Sequence, residues 1–135
     1  MINLRIECIP RPQKRHRDSR YGKYDPSHKD KQEFRALVKS ALVDCDEDPV
    51  SWGAYHVEME FAFPIPKSWP KYKKANPPIC TKHVDLDNLC KIYLDSCNGL
   101  LWGDDSLIIS LNCKKIYANE ASVTIRMQEI PLKKN

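Results

Sequence analysis

No stretch of this 135-residue sequence holds 18 or more consecutive apolar residues, and the opening MINLRIECIP has no charged segment ahead of an apolar block. A bilayer-crossing helix needs about 20 apolar residues, so neither a membrane-spanning nor a secreted chain is expected, and the expected location is cytoplasmic. The six cysteines, at 8, 45, 80, 90, 97 and 113, form no Cys-x-x-Cys pair. Reduced thiols are therefore expected rather than a disulfide framework. Cys80 and His83 have a Cys-x-x-His spacing. No second pair completes the four ligands of a structural zinc site, which is not expected either.

Charge is distributed just as unevenly. Acids are missing from residues 64–84, PIPKSWPKYKKANPPICTKHV, which hold five lysines. Glutamate is missing from residues 85–105, which hold five aspartates and one cation, Lys91. Residues 10–31, PRPQKRHRDSRYGKYDPSHKDK, carry eight Lys/Arg against three Asp, and the whole chain carries a net charge of +4. A single basic run is commonly a solvated face. Two of them flanking an acidic centre point to an anionic polymer as partner.

With 41% apolar residues, one domain over residues 1–135 can bury a real core. Ile2, Leu4, Ile6 and Cys8 alternate with polar residues and predict a half-buried strand over Met1–Ile9. Pro10–Tyr24 reads as an extended basic loop. Asp25-Pro26-Ser27 opens a helix on which Phe34, Leu37, Val38, Ala41 and Leu42 share one face. The acidic turn from Asp44 to Pro49 ends it, since acids oppose the dipole at a helix C-terminus. Tyr55 to Phe63 alternates as a second strand, and the five prolines of 64–82 predict an irregular loop. Asn88–Asn98 reads as a helix stopped by Gly99. Leu107–Tyr117 and Ser122–Ile130 read as two strands of an antiparallel hairpin turned at Ala118-Asn119-Glu120. The order β-α-β-α-β-β defines an α+β domain, a mixed sheet of about four strands carrying two helices.

The aspartates need a compensator, because crowded carboxylates cost free energy. Asp85 and Asp87 lie two apart before the second helix, and in extended chain such residues face the same way. Asp104 and Asp105 follow the helix, and the returning chain can bring them to Asp85 and Asp87. Oxygen ligands without a Cys/His set favour Mg²⁺ or Mn²⁺ over zinc. An EF-hand is a poor match, since its later Gly and Glu are missing. Lys91, one turn beyond Asp87, reads either as an i,i+4 surface pair or, on a helix apolar on most sides, as a buried contact to a scissile phosphate. Asp95 reads as a partner of Lys91 or a local cap, and Asn88 as a helix-start residue with an outer-shell metal role open. Trp52 and Trp102 read as core, and Trp69 stays open as a stacking platform. Carboxylate-held metal between cationic flanks predicts metal-dependent cleavage of a phosphodiester.

The run VDLDNLCKIYLDSCNGLLWGDDS resembles the signature of the RusA-type Holliday-junction resolvases: D-x-D-N-L-x-K, then D-[AS], G-[VL]-L/W and D-D. IPRPQKRHR…YGKYDPSHKDKQEF is similar to that family's Pro- and Arg-rich leading loop and helix, and FPIPKSWPKYKK to its Lys-rich segment. The resemblance implies a small dimeric endonuclease that cuts four-way DNA junctions with Mg²⁺. By position it implies Asp85, Asp87 and Asp105 as metal-binding catalytic aspartates, Lys91 as the catalytic lysine and Asp104 as the neighbouring acid. The family often has Gln after D-D-x, where this chain has Leu107. Arg11, Lys14, Arg15, Arg17 and Arg20, with Lys71, Lys73 and Lys74, are the candidate DNA contacts. A homodimer supplies two symmetry-related active sites for paired nicks. The competing expectation is a branched-nucleic-acid-binding protein that keeps the fold without cleaving.

Overall fold

The computed structural model describes residues 2–12, 17–19, 22–24, 27–45 and 53–130. Strand β1 (Ile2–Ile6) leads to a short antiparallel pair, β2 (Arg17–Ser19) and β3 (Gly22–Tyr24), inside the segment expected to be an extended loop. Helix α1 (His28–Asp44), strand β4 (Ala54–Pro64), helix α2 (Lys71–Ala75), helix α3 (Leu86–Ser96), a 3₁₀ turn (Asp105–Leu107) and strands β5 (Ile108–Ala118) and β6 (Ser122–Ile130) follow. Four strands form a mixed sheet in the order β1-β6-β4-β5, and the domain is α+β. The one-turn helix α2 breaks the Pro-rich loop expected to be irregular; Pro70 precedes it, where a missing N–H costs nothing.

The expected hairpin between the last two strands does not form. β5 runs parallel to β4, with Met59 opposite Cys113, while β6 lies between β1 and β4 and is antiparallel to both. The tight sequence spacing of β5 and β6 permits a hairpin, but the apolar faces decide otherwise. Val123, Ile125 and Met127 of β6 are buried almost completely, which requires neighbours on both sides. Strand β5 carries the exposed Ile109 and Leu111 and takes the edge.

Tyr55, Val57, Met59, Phe61 and Phe63 point to one side of β4, where they meet Phe34, Val38 and Leu42 of α1 and Leu89, Ile92 and Tyr93 of α3. Tyr93 packs its ring on Phe34 and Phe61, with centroids 4.7 and 5.4 Å away. The opposite side of the sheet is a polar lattice. Glu58 lies near both His56 and Arg126, and Glu60 pairs with Lys114 at 3.2 Å. Both helices therefore lie on one face of the sheet. Parallel β4 and β5 require a crossover between them, and that crossover, residues 65–107, carries all five aspartates of the acidic segment. Among the described residues no helix is long and apolar enough to cross a membrane.

Candidate functional site

The crossover comes off the end of β4, and a lysine of β5 ties its last residues before α3 to the sheet. Lys115 of β5 donates from Nζ to the carbonyls of Lys82 (2.9 Å) and Val84 (2.8 Å). Lys82 in turn places its ammonium 5.1 Å from the centre of the Phe63 ring. Thr81–Asp85 and Lys115 line an open cleft of about 430 Å³.

Asp85 stands at the N-cap of α3 with extended backbone, φ −70° and ψ 116°. Aspartate there usually accepts an amide of the first turn, worth about 1 kcal/mol. Here the carboxylate makes no such bond. Its Oδ2 instead accepts a long 3.4 Å bond from the Asn88 side-chain amide. Asn88 is thus a partner of Asp85 rather than the residue that starts the helix. Asp87 is already inside the first helical turn, so the alternation of extended chain does not govern the pair.

Asp87 Oδ2 lies 3.6 Å from Lys91 Nζ, with the two side chains 74% and 61% exposed. Of the two readings of Lys91, the i,i+4 surface pair is the one observed, and the buried one is overturned. Leu89, Ile92 and Tyr93 take the buried face of α3, which leaves the Asp87, Lys91, Asp95 row in solvent. Asp95 pairs with Lys31 of α1 at 3.1 Å, not with Lys91.

Asp104 caps the 3₁₀ turn, its Oδ2 accepting the Ser106 amide at 3.0 Å. The Ser106 side chain and amide hold its carboxyl below the ordinary value. Asp105 shifts the opposite way: partial burial, with Asp104 and Asp95 beside it, raises its carboxyl above the usual range. The acids acting on Asp105 thus include one from the last turn of α3, whereas Asp85 precedes the first. An 11-residue helix spans roughly 16 Å. Among the described residues, no three Asp, Glu, His or Cys side chains form a group that could hold a metal ion. The contacts of these aspartates are Asp85 with Asn88 and Asp87 with Lys91, while Asp104 and Asp95 act electrostatically on Asp105. In kind, the donors at the start of α3 suit a hard divalent cation: exposed carboxylate oxygens backed by an amide.

Of the candidate DNA contacts, Lys71, Lys73 and Lys74 all lie on α2. Lys73 stacks on the Trp69 ring, 4.1 Å from its centre, and Trp69 packs edge-on against Tyr117. Trp69 is therefore an anchor for α2 against β5. Tyr72 beside it is 76% exposed. Arg11 is exposed; its backbone amide donates to the Tyr93 hydroxyl at 2.8 Å, and its guanidinium lies 3.4 Å from Asp30. Lys14, Arg15 and Arg20 lie outside the described residues, as does Trp52, and Arg17 is described only as backbone in β2. Cys80 and Trp102 are buried and His83 is exposed. The contacts of Lys115 and Lys31 had no signal in the sequence, because each reaches a segment far away in the chain.

A mixed sheet whose crossover presents carboxylates and a lysine at an exposed helix start, flanked by a cationic segment, defines a protein built to meet a polyanion. The family model for endodeoxyribonuclease RusA matches residues 7–128, and this chain belongs to that family. Membership implies endonuclease activity on DNA of the Holliday-junction-resolving kind. The chain is also similar to the Bacillus subtilis (strain 168) protein described as uncharacterized protein YqaN, 27% identical over 103 residues, 72% of each chain.

Proposed function

We propose that residues 1–135 form one structure-selective endodeoxyribonuclease domain that resolves four-way DNA junctions by paired symmetric nicks, in DNA recombination and repair. The observation that carries this reading is that Asp85, Asp87 and Lys91, within the matched family region, stand exposed at one helix start. Asp85, Asp87 and Asp105 would hold Mg²⁺, with Mn²⁺ as a substitute, and Asp104 would keep the chain at Asp105 in its turn. Such a cation supplies activation of water and stabilisation of the leaving oxygen.

The chain's own groups have definable tasks. Asn88 orients the Asp85 carboxylate through its amide. Lys91, mostly exposed and loosely paired, can leave Asp87 for a phosphate oxygen where charge builds up during cleavage. Lys71 and Lys74 of α2, with Arg11 and the basic residues up to Arg20, would neutralise neighbouring phosphates. Two copies related by a two-fold axis would give the pair of sites that symmetric nicking needs. Branched DNA in the cytoplasm is the partner that fits these features.

The alternative is a binding protein that keeps the fold and does not cleave. Cleavage of a synthetic four-way junction and of linear duplex, each with Mg²⁺ and with chelator, decides between them. The nuclease reading expects two symmetry-related nicks in the junction with Mg²⁺ only. Tight junction binding with no nick under Mg²⁺ or Mn²⁺ would establish the binding protein instead.

A further inference from the structure

Among the described residues, Lys115 is the one cation whose ammonium binds the backbone of the segment leading into Asp85. Its neighbour on β5, Lys114, faces the open side of the sheet and makes an ordinary ion pair with Glu60. Lys115 faces the helices, opposite Phe61 of the central strand β4. Among the described residues no carboxylate lies within salt-bridge distance of it, and its described bonds go to the carbonyls of Lys82 and Val84. The Val84 carbonyl belongs to the peptide unit that begins Asp85.

Besides Lys115, that segment is held by Val84 and Leu86, which pack against the core, and by the Lys82 ammonium over the Phe63 ring. Thr81, Lys82 and His83 are exposed, and Asp85 makes no side-chain cap bond. Its backbone amides at Val84 and Leu89 donate to the carbonyls of Lys82 (2.7 Å) and Asp85 (3.1 Å). Short exposed segments with few bonds open at low free energy. Lys115 connects this one to β5, a strand paired with β4 from Tyr55 to Pro64. Half-burying an ammonium without a counter-charge costs desolvation, which the two carbonyls compensate.

We propose that Lys115 is a positioning residue of the candidate site: by binding the Lys82 and Val84 carbonyls, it sets where the Asp85 carboxylate stands. The proposal rests on the reading of Asp85 as a nuclease residue. It concerns the placement of that carboxylate and not contact with DNA, although Lys115 lines the same cleft as Asp85.

The test compares Lys115→Met, which keeps the aliphatic stem, with Lys115→Arg, which keeps charge and donors. In the Met variant, amide hydrogen exchange at Val84, Asp85 and Leu86 is expected to accelerate at least about tenfold while β4 and β6 stay protected. Its kcat on a four-way junction is expected to fall about 100-fold, with junction affinity unchanged, as for a misplaced catalytic group. Its salt dependence of binding should match wild type, whereas loss of a phosphate contact lowers the slope by about one. The Arg variant is expected to keep kcat within about tenfold of wild type, since both donors are retained. Unchanged exchange at Val84–Leu86, a salt slope lowered by one, or an Arg variant as slow as the Met variant would each overturn the proposal. If the wild-type chain cuts no junction, the nuclease reading fails, and the exchange experiment still decides the role of Lys115.

Discussion

The two ends of α3 are built on opposite principles. At the C-terminal end the Ser96 hydroxyl donates to the Ile92 carbonyl, and the last carbonyls are tied. Arg35 of α1 donates to the carbonyls of Ser96 (2.9 Å) and Asn98 (2.7 Å), which the end of a helix leaves without partners. The Asn98 side chain accepts the Trp102 indole at 2.9 Å, and Trp102, Cys97 and Leu101 are fully buried. Gly99, at φ +78°, lets the chain reverse, a conformation that costs other residues about 1–2 kcal/mol. At the N-terminal end, Asp85, Asp87 and Lys91 all stand in solvent, and the cap goes unused. The closed end fixes the helix in the fold, so the open end can present charged groups on a rigid support without contributing to stability.

Breaking the open end should therefore remove activity, and breaking the closed end should remove stability. Asp87→Asn is expected to have the largest effect, lowering Mg²⁺-dependent junction cleavage about 1000-fold. Junction binding by gel shift should hold or tighten, because a carboxylate that repels phosphate is gone. Cleavage at the wild-type rate would remove Asp87 from the site.

Lys91→Met comes next, with kcat about 100-fold down. Its pair with Asp87 is so exposed that the unfolding midpoint should hardly move, as for surface pairs generally. A variant that unfolds early would instead mean that Lys91 is structural.

At the other end, Arg35→Ala leaves the Ser96 and Asn98 carbonyls without their charged donor. Urea unfolding should register a loss of about 2 kcal/mol, while kcat of the folded protein stays within a few-fold of wild type. The smallest effect belongs to Lys31 and Asp95, at 3.1 Å with Asp95 half exposed. A double-mutant cycle should give a coupling below about 1 kcal/mol; a larger value would make this pair a principal clamp between the helices.

Much of this comparison was legible in the chain. The alternating Tyr55–Phe63 run and the Phe34, Val38 and Leu42 spacing are local patterns, and both elements stand where those patterns predict. The family signature from Asp85 to Asp105 is likewise a linear string. Two expectations failed for one reason: each needed to know which surfaces meet. Adjacent strands β5 and β6 look like a hairpin until the buried faces of β6 demand neighbours on both sides. Lys91 looks buried until Leu89, Ile92 and Tyr93 claim the inner face of α3.

By itself, the sequence determined the four strands of the main sheet, the two long helices, the charge layout and the family, because each depends on residues close together along the chain. The tertiary structure alone decided the parallel β4–β5 pairing, the exposure of Lys91 and the tie from Lys115 to the peptide before Asp85. Those depend on contacts between distant segments, and packing selects among the several that local pattern allows.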